Sequence, residues 1–204
     1  APPPGACIWA GDGRHAVTTR LRAGAMANFV GMVETPNPAP EGWHVEGNKA
    51  DAIADFEGWN PVVATLIEQA ETLNRWALFD RAPLSTWHDG RVVLLGDAAH
   101  AMYPIGSNGA SQAILDSAHL ARCLEQYGLN EDALYRYENI RRPAVNKIVE
   151  INRLDGPDKI LDIVAEKAPN GFKNINDVMP HEKMKHIAEK YKVIAGFDAD
   201  TLNS

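Results

Sequence analysis

Residues 92–95 read Val-Val-Leu-Leu, an unbroken apolar run that ends in Gly96 and Asp97 and leads a short way on into a glycine-rich stretch. So short a run, bounded by turn residues, is predicted to be a strand buried on both faces. Asp97 then stands at the carboxyl end of that strand, the edge at which open α/β sheets hold their ligands. Pro104, Gly106, Ser107, Asn108 and Gly109 follow, and the apolar-periodic segment from Ala110 to residue 124 is predicted to be a helix. A helix that opens on small residues presents free amides that attract electron-rich groups. A carboxylate for sugar-like hydroxyls and a bare helix end, close together in sequence, imply a large nucleotide-type ligand.

The same residues carry a family resemblance. Gly96, Asp97, Ala98, Ala99, His100, Pro104, Gly109, Ala113, Ile114 and Asp116 stand in register with the second flavin-binding motif of the class A flavoprotein monooxygenases, the salicylate and para-hydroxybenzoate hydroxylases among them. The wording Met-Tyr-Pro-Ile-Gly-Ser-Asn-Gly over residues 102–109 is most similar to the phenazine-modifying branch. Flanking residues agree: Arg75 and Trp76 to Arg81 before the motif, and Tyr137, Glu138, Arg141, Arg142 and Pro143 after it. The likeness runs over residues 9–153. It departs from the family in carrying Ser107 where a glycine is usual, and in lacking the first Gly-x-Gly-x-x-Gly motif and the middle Asp-Gly segment. The chain thus resembles the C-terminal half of an enzyme about twice its length.

The resemblance implies FAD as cofactor, NADH or NADPH as co-substrate, and hydroxylation of a small aromatic substrate with dioxygen. It implies that Asp97 accepts hydrogen bonds from the ribityl chain. Pro104 would lie along the isoalloxazine, and Gly96, Gly106, Ser107, Asn108, Gly109 and Ala110 would bring backbone close to it. Catalytic residues are not identified, and no metal site is expected. His100 is read as fixing its loop by hydrogen bonding, and Asp116 as a structural carboxylate. Arg20 and Arg22 are candidates for clamping a substrate carboxylate, since guanidinium pairs with it bidentately; strand alternation would put them on one face.

A second glycine pattern competes. Gly11, Gly13 and Ala16 fit Gly-x-Gly-x-x-Gly/Ala, with Glu34 at a plausible distance. A dinucleotide turn requires a helix next, whereas residues 16–22 are β-branched and alternating, and Asp12-Gly13 between short strands signals a hairpin. Two alternatives therefore stand beside the monooxygenase: a truncated, non-catalytic binding module of the same fold, and an NAD-linked Rossmann oxidoreductase built on Gly11.

The expected architecture is a mixed α/β fragment in three stretches. Residues 1–86 form a substrate-binding sheet layer with strands at 7–10, 15–21, 27–34 and 75–81 and helices at 49–56 and 61–71. Residues 87–128 supply the last strand and long helix of an FAD-binding, Rossmann-like domain. Residues 129–204 are helical, with helices at 131–153, bent or restarted at Pro143, at 157–167, and at 180–195 before a stop at Gly196. Trp9, Trp43, Trp59, Trp76 and Trp87 are expected to pack. The formal net charge of −7 argues against nucleic acid or an anionic membrane as partner. Cys7 and Cys123 are far apart and form no Cys-x-x-Cys pair, which with the absence of a membrane-length apolar run reads as a reducing cytoplasm. A strand at residues 92–95 without parallel neighbours would leave bare edges, which self-association into a homo-oligomer could cover. Residues 1–204 alone are expected to bind FAD weakly or not at all and to be inactive.

Overall fold

The computed structural model describes residues 1–11, 13–36, 40–42, 44–154 and 159–195. It is a mixed α/β chain that divides into two compact units, Ala1–Leu78 and Phe79–Ser204.

In the first unit, β1 (Ala6–Gly11), β2 (Arg14–Leu21) and β3 (Met26–Val33) form an antiparallel sheet in that order. Gly11 pairs with Arg14, so β1 and β2 make the expected hairpin; Asp12 of its turn lies outside the described residues. Ala16 is on β2, with no helix after Gly13, which removes the dinucleotide turn and the NAD-linked reading built on it. Alternation turns Ala16 and Thr18 inward. Gly31, opposite Ala16, has no Cβ, and the Phe56 ring fills that space. Helices α1 (Lys49–Asp55) and α2 (Pro61–Gln69) start where Asn48 and Asn60 accept N–H bonds from Ala50 and Val62, with Pro61 in the first turn. Phe56, Val63 and Ile67 are buried with Ala16, and Trp9, Phe29, Trp59 and Leu73 pack around them. Full burial of a side chain such as Val63 or Ile67 contributes about 1.5–3 kcal/mol.

The predicted strand at 75–81 is not formed. The Glu46–Asn74 bridge lies just before it, the Arg75 N–H donates to the Val45 carbonyl and the Arg81 N–H to the Ala101 carbonyl, and without a neighbouring strand there is no ladder. Trp76 is accordingly 51% exposed, against the packing expected of it, whereas Trp87 is buried; Trp43 lies outside the described residues.

In the second unit, β4 (His88–Asp89) and β5 (Val92–Val93) make a two-stranded hairpin, followed by the one-turn α3 (Asp97–His100) and the long α4 (Gly109–Tyr127). The run at 92–95 is therefore only half strand. Val92 is 66% exposed and Leu95 also lies open, a correction to the expectation of burial on both faces. Its cause is that β4 is the only strand paired with it among the described residues, so nothing described covers its outer face. Helix α5 (Glu131–Leu154), capped by Asn130, runs as one helix through Pro143 and packs along α4. Trp87, Ala99, Cys123, Ala133, Tyr137 and Val145 form the buried core between them. Helices α6 (Lys159–Lys167), α7 (Ile175–Val178) and α8 (His181–Ala195) complete the unit; Pro157 and Gly196, expected to bound two of these helices, lie outside the described residues. No helix among the described residues is long and apolar enough to cross a membrane.

Candidate cofactor site

The second unit builds the site on one buried carboxylate. Gly96 turns the chain with φ 58°, a conformation that favours glycine, and an added Cβ there would press within 3.3 Å of Ala113 on α4. Its N–H donates to Asp116 Oδ2 at 3.0 Å, and its carbonyl accepts from the N–H groups of Ala99 and His100. His100 Nε2 reaches the same Oδ2 at 2.6 Å, and Arg141 Nε from α5 reaches Oδ1 at 2.8 Å. Arg141 also donates to the Gln112 side chain at 2.6 Å. Burial pushes the Asp116 carboxyl up, but hydrogen bonds from His100, the Gly96 amide and Arg141 outweigh it and hold the pKa below its ordinary value. As a carboxylate Asp116 can only accept, so the proton of the shared bond is on His100 Nε2.

A second carboxylate secures the hairpin before the turn. Glu138 of α5 accepts from the Trp87 and His88 amides, the Thr86 hydroxyl and, at 2.5 Å, the His88 ring, while its other oxygen takes Arg142. Burial raises its pKa; the His88 ring and the three donors beside it more than offset that, bringing it down to about 2. Tyr137 donates to the Leu94 carbonyl at 3.2 Å, so Tyr137, Glu138 and Arg141, all within two turns of α5, hold the strand, the turn and the base of α4.

These bonds place Asp97 in the first turn of α3, exposed, with Gly96 and not Asp97 as the cap residue. Its carboxylate has no ion-pair partner among the described residues. Downstream, Pro104 leads into a one-turn 3-10 segment in which Gly106 has φ 78° and Ser107 φ 55°. A non-glycine residue held left-handed carries strain. Helix α4 then begins with no side-chain cap on Gly109 or Ala110, and Gln112 is the donor that closes onto the Asn108 carbonyl. A Cβ on Gly109 would meet nothing within 4 Å, so the helix end is open. Gly106 is different: the ring pressed against its backbone is Tyr191 of α8, whose hydroxyl occupies the place of the missing Cβ. The bulk excluded at Gly106 is thus the protein's own, where sequence reasoning gave the close approach to a ligand ring. Tyr191 carried no signal in the sequence, since its helical spacing reads as packing.

Of the arginines in the first unit, Arg20 is on β2 and donates to the Pro2 carbonyl at 2.6 Å. Arg22 lies past the strand with φ 49°, so alternation does not set its direction relative to Arg20 as expected.

A glycine turn with an exposed carboxylate and a long helix with an open N-terminus can together hold an electron-rich group. Comparison with known proteins specifies the class: the model of the family described as FAD binding domain matches residues 35–152, and the chain belongs to that family. It is 38% identical over 154 residues to a 3-amino-4-hydroxybenzoate 2-monooxygenase of Streptomyces platensis, covering 75% of this chain and 39% of that protein. It is 40% identical over 148 residues to a phenazine 1,6-dicarboxylic acid hydroxylase of Lysobacter antibioticus, covering 69% and 35%. The chain thus spans well under half the length of these relatives. Among solved structures, it superposes on Klebsiella pneumoniae HpxO complexed with FAD and uric acid with a TM-score of 0.67 at 27% identity, covering 98% of this chain and 48% of that one. A salicylate hydroxylase substrate complex shares the fold with a TM-score of 0.69 at 23% identity, covering 95% and 50%.

Proposed function

We propose that this chain is the C-terminal part of an FAD-dependent monooxygenase that uses NADH or NADPH and dioxygen to hydroxylate a small aromatic substrate. The observation that carries the reading is the open N-terminus of α4 behind the Gly96–Asp97 turn, inside the segment matched to the FAD binding domain family. The monooxygenases and hydroxylases to which the chain is 38% and 40% identical support it. Residues 1–86 would supply part of the substrate-binding sheet layer, 87–128 the last segment of the FAD-binding domain, and 129–204 the helices behind it.

The residues fit such a cofactor. Asp97, exposed and not engaged as a cap, would accept hydrogen bonds from ribityl hydroxyls. Pro104 would lie along the ring, and Ser107 and Asn108 would supply backbone beside it. The amides of Gly109 and Ala110 would face its electron-rich edge, where the helix end stabilises negative charge by about 0.3–2 kcal/mol. When bound, FAD would supply hydride acceptance and dioxygen activation, and the residues around it would hold its charge and exclude water. Asp116 contributes from outside the site, by fixing the Gly96 amide and hence the direction of Asp97. Arg20 and Arg22 remain candidates for a substrate carboxylate.

The test is Asp97→Ala in the enzyme that carries this chain. FAD binding should weaken by about 1.5–3 kcal/mol, the worth of hydrogen bonds to a charged group. A colourless preparation of the wild-type enzyme, or unaltered flavin affinity in a folded variant, would overturn the reading.

A further inference from the structure

Four helices among the described residues open on an asparagine that caps them. Asn48, Asn60, Asn130 and Asn174 accept backbone N–H bonds from Ala50, Val62, Ala133 and Asn176. Asn108 holds the same position before α4 and does not cap it. The backbones of Asn48, Asn60 and Asn174 are non-helical, with ψ between 124° and 135°, as capping requires; that of Asn108 is helical, with φ −95° and ψ −21°.

Tyr191 supplies the cause. The Asn108 side-chain amide donates to the Tyr191 hydroxyl, which in turn donates to Asn152 Oδ1 of α5 at 2.8 Å. A hydroxyl has one proton, and it is committed to Asn152, so Asn108 can meet Tyr191 only through its N–H2 group. That orientation leaves Asn108 Oδ1 buried without a partner, in a residue 1% exposed. The same hydroxyl fills the space of the absent Gly106 Cβ and so restrains the loop on both sides of Ser107. An asparagine oxygen that normally satisfies the first helical amides is held away from them, at the cost of a buried, unsatisfied acceptor.

We propose that Tyr191 is a positioning residue that keeps α4 uncapped, by binding Asn108 and Asn152 together, so that the first amides of α4 stay available to the electron-rich edge of the cofactor. This rests on the flavin reading for the identity of the ligand, but not for the device itself. Helix α8 lies outside the matched residues 35–152, which gives the C-terminal region a role in preparing the site.

Tyr191→Phe removes the hydroxyl and frees the Asn108 side chain. Amide hydrogen exchange on the apo chain should then slow at Ala110 and Ser111 by about five- to tenfold, as for a helix end that gains a cap. Adding Asn108→Ala to that variant should restore fast exchange. A merely structural loss moves the other way, so unchanged or faster exchange at Ala110 and Ser111 in Tyr191→Phe overturns the proposal. In the enzyme that carries the chain, Tyr191→Phe should raise the Kd for FAD severalfold; an FAD affinity unchanged despite slowed exchange would confirm the uncapping and count against the flavin as the ligand of this helix end.

Discussion

His100 donates its Nε2 proton to Asp116 at 2.6 Å, and both side chains are completely buried. His100 Nδ1 has no partner among the described residues, and Arg141 balances the carboxylate from the opposite side. The histidine of the motif is thus engaged in holding α3 to α4. Its ring lies 5.4 Å from that of Trp87, inside the core of the second unit.

Removing the shared carboxylate should therefore be costly. Asp116→Ala leaves Arg141 buried without its partner and the Gly96 amide without its acceptor, and should destabilise the fold by about 3–5 kcal/mol. Denaturant unfolding checks this, and a loss below about 1 kcal/mol would show that water replaces the carboxylate.

Acid should loosen the same unit. Glu138 and Asp116 both have folded-state pKa values below their ordinary ones, so each contributes stability above its ordinary pKa that is lost as pH falls toward the folded value. For Glu138 that window runs from 4.5 down to about 2. The expected melting temperature is flat near neutrality and falls below pH 4.5. Glu138→Gln should be less stable at neutral pH and show a shallower acid dependence; an unaltered acid slope would dismiss Glu138 as its source.

Ser107 offers the opposite change. Its left-handed φ of 55° costs a non-glycine residue about 1–2 kcal/mol, and the added chain entropy of glycine returns about 0.5–1 kcal/mol of that. Ser107→Gly should raise stability by about 0.5–1 kcal/mol in thermal or chemical unfolding. A destabilised variant would mean that the serine side chain makes up for its backbone.

Gly109→Asp separates folding from binding. The position is open, and an acidic residue in a first turn stabilises a helix by about 0.3–1 kcal/mol. The chain should be as stable or slightly more so, while the enzyme that carries it should bind FAD more weakly and have a lower flavin reduction potential. An unshifted potential places the ring elsewhere than at this helix end.

Local pattern alone determined much of this protein. The three strands of the first sheet, the Asn60–Pro61 helix start, α4 and the 24-residue α5 all follow from periodicity and end signals, because each is decided by neighbours a few residues away. The motif from Gly96 to Asp116 also identified the family through its spacing. Tertiary structure decided what depends on partners distant in sequence. Residues 75–81 and 92–95 have the composition of strands, but a strand forms a ladder only beside another, so the first is irregular and the second reduced to two residues. The carboxylate of Asp116 acquires its role from Gly96, His100 and Arg141, which only folding brings together. Tyr191 meets Asn108 across 83 residues, and a hydrogen bond of that span leaves no trace in local spacing.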